Sequence, residues 1–163
     1  MKFIDYTNQW IKGELFEARL IVAFAFIIIV IALLFYYLGS TPSAKALVFP
    51  LLLVGILFLG IGGGMLYSNP KRSTEYAQLF GQNETEFIKT EKERVEKFSS
   101  WYPITRWIMA GLGVLGIGIF IFWETPIGRA IGIALILTML ATYVVDHFSE
   151  ERANMYYQHI INH

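Results

Sequence analysis

The chain has 163 residues, 55% hydrophobic and only 16% charged, and its 13 basic and 13 acidic side chains cancel to a formal charge of zero. An ordinary soluble domain carries about 25% charged residues, and the neutral balance gives no bulk electrostatic reason to expect nucleic acid as a partner. Cysteine is absent, which excludes disulfides, thiolate metal sites and covalent haem attachment.

The first 18 residues place Phe3, Ile4, Tyr6, Trp10, Ile11 and Leu15 at helical spacing, opposed by Lys2, Asp5, Gln9 and Lys12. This pattern predicts an amphipathic helix, lying on a membrane surface or packed on the protein's own polar parts. A charge-free run, 20–38, follows Arg19. It is too long for a signal-peptide core and is long enough to span a bilayer as a helix. Gly39-Ser40 breaks the run. Thr41-Pro42 then restarts a helix, with Thr as N-cap and Pro where no N–H is needed. The second span, 46–67, contains Gly60, Gly63 and Gly64, which in lipid are expected to let helix backbones approach closely. Asn69-Pro70 is expected to end it.

The long polar stretch 68–103 predicts a short helix over 71–80, stopped by Gly81, and a second over 84–100. Asn83 and Glu86 form a capping-box-like start for the latter. Phe87, Ile88, Val95, Phe98 and Tyr102 share one face with Glu91 and Arg94, which read as an ion pair at the lipid boundary or as contacts to a partner. The third span, 104–123, contains Gly111, Gly113 and Gly116 in a literal GxGxxG. No strand precedes it and no water surrounds it, so it reads as helix packing, together with Gly118, and not as a nucleotide site. Thr125-Pro126 opens the fourth span, 126–145, where Gly128 and Gly132 form a small-xxx-small pair. The helix is expected to continue past Val145 into a polar tail.

The fold class is therefore an all-α integral membrane protein with four transmembrane helices in two antiparallel hairpins, joined by amphipathic cytoplasmic helices. Eleven Lys and Arg residues lie in the leader, central stretch and tail, against Lys45 and Arg129 in the two short connections. That asymmetry places both termini and the centre in the cytoplasm, as a multi-pass inner-membrane protein. It also keeps the sequon Asn83-Glu84-Thr85 away from glycosylation machinery. Self-comparison at an offset of 84 aligns Thr41-Pro42 with Thr125-Pro126, and Phe3, Ile4 and Ile11 with Phe87, Ile88 and Val95. With a four-residue shortening, Arg72, Tyr76 and Gln78 align with Arg152, Tyr156 and Gln158. The chain reads as a tandem duplication of units 1–80 and 81–163.

No ionisable group falls at mid-depth in a span, where transporters and intramembrane enzymes carry them. Asp146, His147, Glu150 and Glu151 at the end of the fourth helix, with His159 and His163 beyond, have spacings that could ligate a cation, but a solvated helix end with ordinary ion pairs is the preferred reading, and no metal is expected. No cofactor is expected. The expected function is protein–protein interaction, with a protein partner or a second copy of the chain, through Glu91, Arg94, Arg72, Tyr76, Arg152 and Tyr156. The alternative is an oligomeric channel or transporter lined by the glycine faces. A membrane enzyme built on the 146–151 cluster comes third.

Overall fold

Both Thr-Pro pairs start helices. The Thr41 hydroxyl accepts from Ala44 N at 3.2 Å and the Thr125 hydroxyl from Gly128 N at 3.2 Å. The computed structural model describes residues 3–162, and within them the chain forms five helices: α1 (Phe3–Leu38), α2 (Pro42–Gln82), α3 (Glu84–Ser99), α4 (Tyr102–Phe122) and α5 (Pro126–Ile161). Four apolar stretches, in α1, α2, α4 and α5, are long enough to cross a membrane, the pattern of a multi-pass membrane protein.

Two helix breaks expected from sequence do not occur. α1 runs unbroken from Phe3 into the first span, so its leader does not turn onto a surface; it packs instead on the protein's own polar parts, the other reading of its pattern. α2 continues through Pro70 to Gln82, so there is no separate helix over 71–80, and Gly81 does not stop it. A proline inside a helix forfeits one hydrogen bond. Here the extension is held by packing: Asn69 is buried, and Tyr76 and Phe80 dock on a core beyond the span. The helix ends at Asn83, whose backbone N–H goes back to Leu79 O, while its side chain caps α3, accepting from Glu86 N at 3.2 Å and donating to Glu86 Oε2 at 3.1 Å. The central stretch does break at Ser100–Trp101, where Pro103 enters the first turn of α4.

α1 and α2 run antiparallel: Gly55 meets Ala25 and Ile29, and Gly62 meets Ala18, Ile21 and Val22. α4 and α5 do likewise, with Gly113 against Met139 and Gly116 against Leu135 and Gly132. α5 packs in turn on α2 and α1, while α4 leans chiefly on α5. The core inside the spans joins Ile21, Ala25 and Ile28 of α1 to Leu51, Val54 and Phe58 of α2, and reaches Ala134 of α5. Exposed aromatics mark both ends of the apolar zone, with Tyr36, Tyr37 and Trp123 at one and Tyr67, Trp101 and Trp107 at the other. From Pro42 to Tyr67 is about 38 Å of helix, close to the thickness of a bilayer with its interfaces.

The glycines sort by helix phase. Leu51, Val54, Gly55, Phe58 and Gly62 form one inward stripe on α2, so Gly62 seats α1. Gly60, Gly63 and Gly64 fall off that stripe, and a Cβ on any of them would meet nothing within 4 Å. The same holds for Gly111 and Gly118 on α4. Of the glycines assigned to packing from sequence, Gly132 seats the α4 backbone and Gly128 seats Trp123, whereas those five face outward.

Candidate functional site: a buried charge network in the polar collar

Beyond the spans, the start of α1, the end of α2, α3 and the end of α5 form a collar with its own core of Phe3, Trp10, Ile11, Phe87, Val95 and Tyr156. Each contributes one apolar face at helical spacing. α3 is otherwise polar, and only Phe87, Glu91 and Val95 of it are buried. Glu91 thus occupies a core position and is 2% exposed.

Burying a carboxylate is costly unless it is fully paired, and Glu91 is. Arg94 grips it side-on, Nε to Oε1 at 2.8 Å and a terminal nitrogen to Oε2 at 2.8 Å. The Tyr156 hydroxyl donates to Oε2 at 3.0 Å. Thr7 lies 2.8 Å from the same hydroxyl. Tyr156 has one proton and gives it to Glu91, so Thr7 is the donor in that contact, and a relay runs Thr7, Tyr156, Glu91 across three helices. The Arg94 guanidinium lies over Trp10 at 4.6 Å, Phe98 at 5.3 Å and Tyr76 at 5.7 Å, the stacked setting that favours Arg over Lys.

Burial disfavours the charge on Arg94, but the hydrogen bonds and charge of Glu91 outweigh it and hold the group above its ordinary value. Burial first, and then the negative charge of Glu91, push the Tyr156 phenol far up. Tyr76 is raised for the same two reasons, opposed by Arg94 and Arg72. The fold therefore binds the protonated phenols. Their stabilisation is complete below about pH 10, where a free tyrosine ionises, and is lost as pH rises above it. An ultraviolet absorbance titration should show Tyr76 and Tyr156 resisting ionisation until the collar opens, with Tyr156→Phe removing one such late phenol.

A second network ties α5 to α1. Arg152 pairs with Glu17, and with Glu14 at 3.2 Å. Gly13 leaves room for it, since a Cβ there would lie 2.6 Å from Arg152 Cδ. A third network joins α4 to α5: Arg106 pairs with Glu150, and the Tyr102 and Ser149 hydroxyls lie 3.0 Å apart. Tyr102, Arg106 and Glu150 line, with Asp146 and His147, a cavity of about 160 Å³. Glu151 is exposed outside it. Among the described residues no three His, Asp or Glu side chains converge as metal ligands. His163, and Lys2 of the leader, lie outside those residues.

Of the six side chains assigned to an interaction surface from sequence, Glu91, Arg94, Tyr76 and Tyr156 converge in the first network. Arg152 anchors the second, and Arg72 is exposed. Glu91 and Tyr156 are too buried to touch a partner. Sequence reasoning missed Thr7, Glu14 and Glu17. The offset of 84 contained a signal for the first, because Thr7 aligns with Glu91 and Trp10 with Arg94. Glu14 and Glu17 look like ordinary surface acids until Arg152 is brought against them. Compared with protein-family models, curated proteins and solved structures, the chain matches none.

Proposed function

We propose that the chain is a non-catalytic protein of the inner membrane, both termini in the cytoplasm, that acts by docking a protein partner on its collar. The observation that carries this reading is a prefolded polar layer with an open groove. The buried charges of α3 are satisfied within the chain, while α2 and α3 leave between them a groove of about 440 Å³. Tyr76, Leu79 and Phe87 supply its apolar surface, and Glu75 and Glu86 its acidic rim. That chemistry suits a segment with apolar and basic side chains. A photo-crosslinker at Leu79 in living cells should yield one discrete adduct, lost when Glu75→Lys and Glu86→Lys reverse the rim. An adduct indifferent to the reversal, or none at Leu79, would sink the reading.

Tandem duplication is supported by contacts between equivalent positions, as expected about a two-fold axis along the membrane normal. Phe3 packs on Phe87 with ring centroids 6.1 Å apart, and Trp10 takes the Arg94 guanidinium. Tyr156 reaches both Thr7 and Glu91, and its counterpart Tyr76 also lies beside Glu91. One observation favours a second reading, an oligomeric channel: the outward Gly60, Gly63 and Gly64 leave a flat face on α2 for another copy. Ion flux in liposomes, abolished by Gly63→Leu, would support it over docking.

A further inference from the structure

A half-open apolar groove of about 500 Å³ lies between α1 and α5, well within the size of small-molecule sites. Its walls are Phe16, Leu20 and Phe24 of α1 and Leu140, Val144 and Phe148 of α5, with Phe58 of α2 behind. Nearly all of this lies in the apolar spans, but one end is charged. Glu17 and Arg152 line it there, where the spans give way to the collar.

Those two groups keep unused capacity. The Glu17 side chain is only 7% exposed. Its Oε2 touches the Arg152 guanidinium yet has no partner in hydrogen-bond geometry, and Arg152 Nε is likewise buried without one. Two carboxylates, Glu14 and Glu17, face one guanidinium. Lys12 and Arg19, the other cations on this part of α1, are exposed and do not line the groove. The charged end thus carries a residual negative charge, together with guanidinium N–H groups that the two carboxylates leave unused.

We propose that this groove is a lipid site, holding one acyl chain of a glycerophospholipid whose headgroup bears a primary amine. The ammonium complements Glu14 and Glu17, the phosphate takes the outer N–H groups of the Arg152 guanidinium, and the chain fills the groove alongside Leu140 and Phe24. Depth and charge together select this occupant. The groove opens sideways at the level of the bilayer, and its charged end falls at headgroup level, where an anionic headgroup would meet uncompensated carboxylate. The inference rests on the helices crossing a bilayer and is independent of any partner on the collar.

Native mass spectrometry of the detergent-purified full chain tests it, using dioleoyl phosphatidylethanolamine against dioleoyl phosphatidylglycerol, which share their acyl chains. The ethanolamine lipid should be retained at roughly tenfold lower concentration. Val144→Trp, on a half-exposed wall where bulk fills the groove without entering the core, should remove that retention. Glu14→Gln with Glu17→Gln should bring the two lipids to parity. The wild-type comparison needs no variant to fold. Equal retention of both lipids, retention unchanged by Val144→Trp, or a second copy of the chain cross-linked into the groove would each overturn the proposal.

Discussion

Glu91→Leu is expected to destabilise the collar by about 3–5 kcal/mol, the cost of leaving one member of a buried ion pair without its partner. The lower half of that range is favoured because the Arg94 side chain keeps 27% of its exposure and water can reach it. Tyr156 also loses its acceptor on α3 and must turn its proton to Thr7, whose own hydroxyl is then left with the longer 3.5 Å contact to Phe3 O. Glu91→Gln should cost about half as much, since the amide oxygen still accepts from Tyr156 while the charge is gone. The decisive comparison is the double variant Glu91→Leu, Arg94→Leu. Exchanging both charges of a buried pair for apolar groups is commonly near neutral, so the double variant should recover most of the loss. Thermal unfolding in detergent measures all three. A double variant no more stable than Glu91→Leu would mean that the pair is not energetically coupled.

Gly132→Leu should be the most damaging single change in the spans. A Cβ there would lie 2.7 Å from the Gly116 carbonyl oxygen and 2.8 Å from Phe120 N. Both are backbone atoms of α4, which cannot rotate aside as a side chain can, so the whole helix must retreat. Overpacking of this kind costs about 1–3 kcal/mol or more. α4 has little else to hold it, because it leans chiefly on α5. The chain contains no cysteine, so a disulfide between Gly113→Cys and Met139→Cys reports the helix contact without background. It should form readily in the parent, weaken sharply with Gly132→Leu, and be indifferent to Gly118→Leu, which points into open space. Equal crosslinking in all three backgrounds would mean that the Gly132 contact does not set the spacing of α4 and α5.

The spans were legible from sequence because their signal is an average over about twenty side chains, and no single residue can erase it. Caps were legible for the opposite reason: Thr41, Asn83 and Thr125 each act on a backbone N–H three residues away, so the whole motif lies in one short string. Pro70 misled because its effect on α2 is local while the compensation is not. Tyr76 and Phe80 stabilise the extension by packing on Phe87, a residue of another helix. The glycines misled for want of phase. Gly62 and Gly63 are chemically identical, and only the bulky residues at 51, 54 and 58 reveal which one faces α1. At the candidate site, the Glu91–Arg94 pairing was visible at three-residue spacing. Its burial was not, because Trp10, Tyr76 and Tyr156 arrive from distant parts of the chain.

α1, α2 and α5 pass from the apolar zone into the collar without interruption, and only the α3–α4 element is jointed, at Ser100–Trp101. Continuous helices transmit tilt as levers do. Any change in how α1, α2 and α5 lean within the lipid must swing the collar ends they carry, among them Thr7, Tyr76 and Tyr156. α4 enters through the joint, with Tyr102 against Phe98 and Arg106 on Glu150 holding its first turns to the collar. Spans and collar are thus built as one piece along α1, α2 and α5, and the joint at Ser100–Trp101 is where the chain between α3 and α4 departs from that rule.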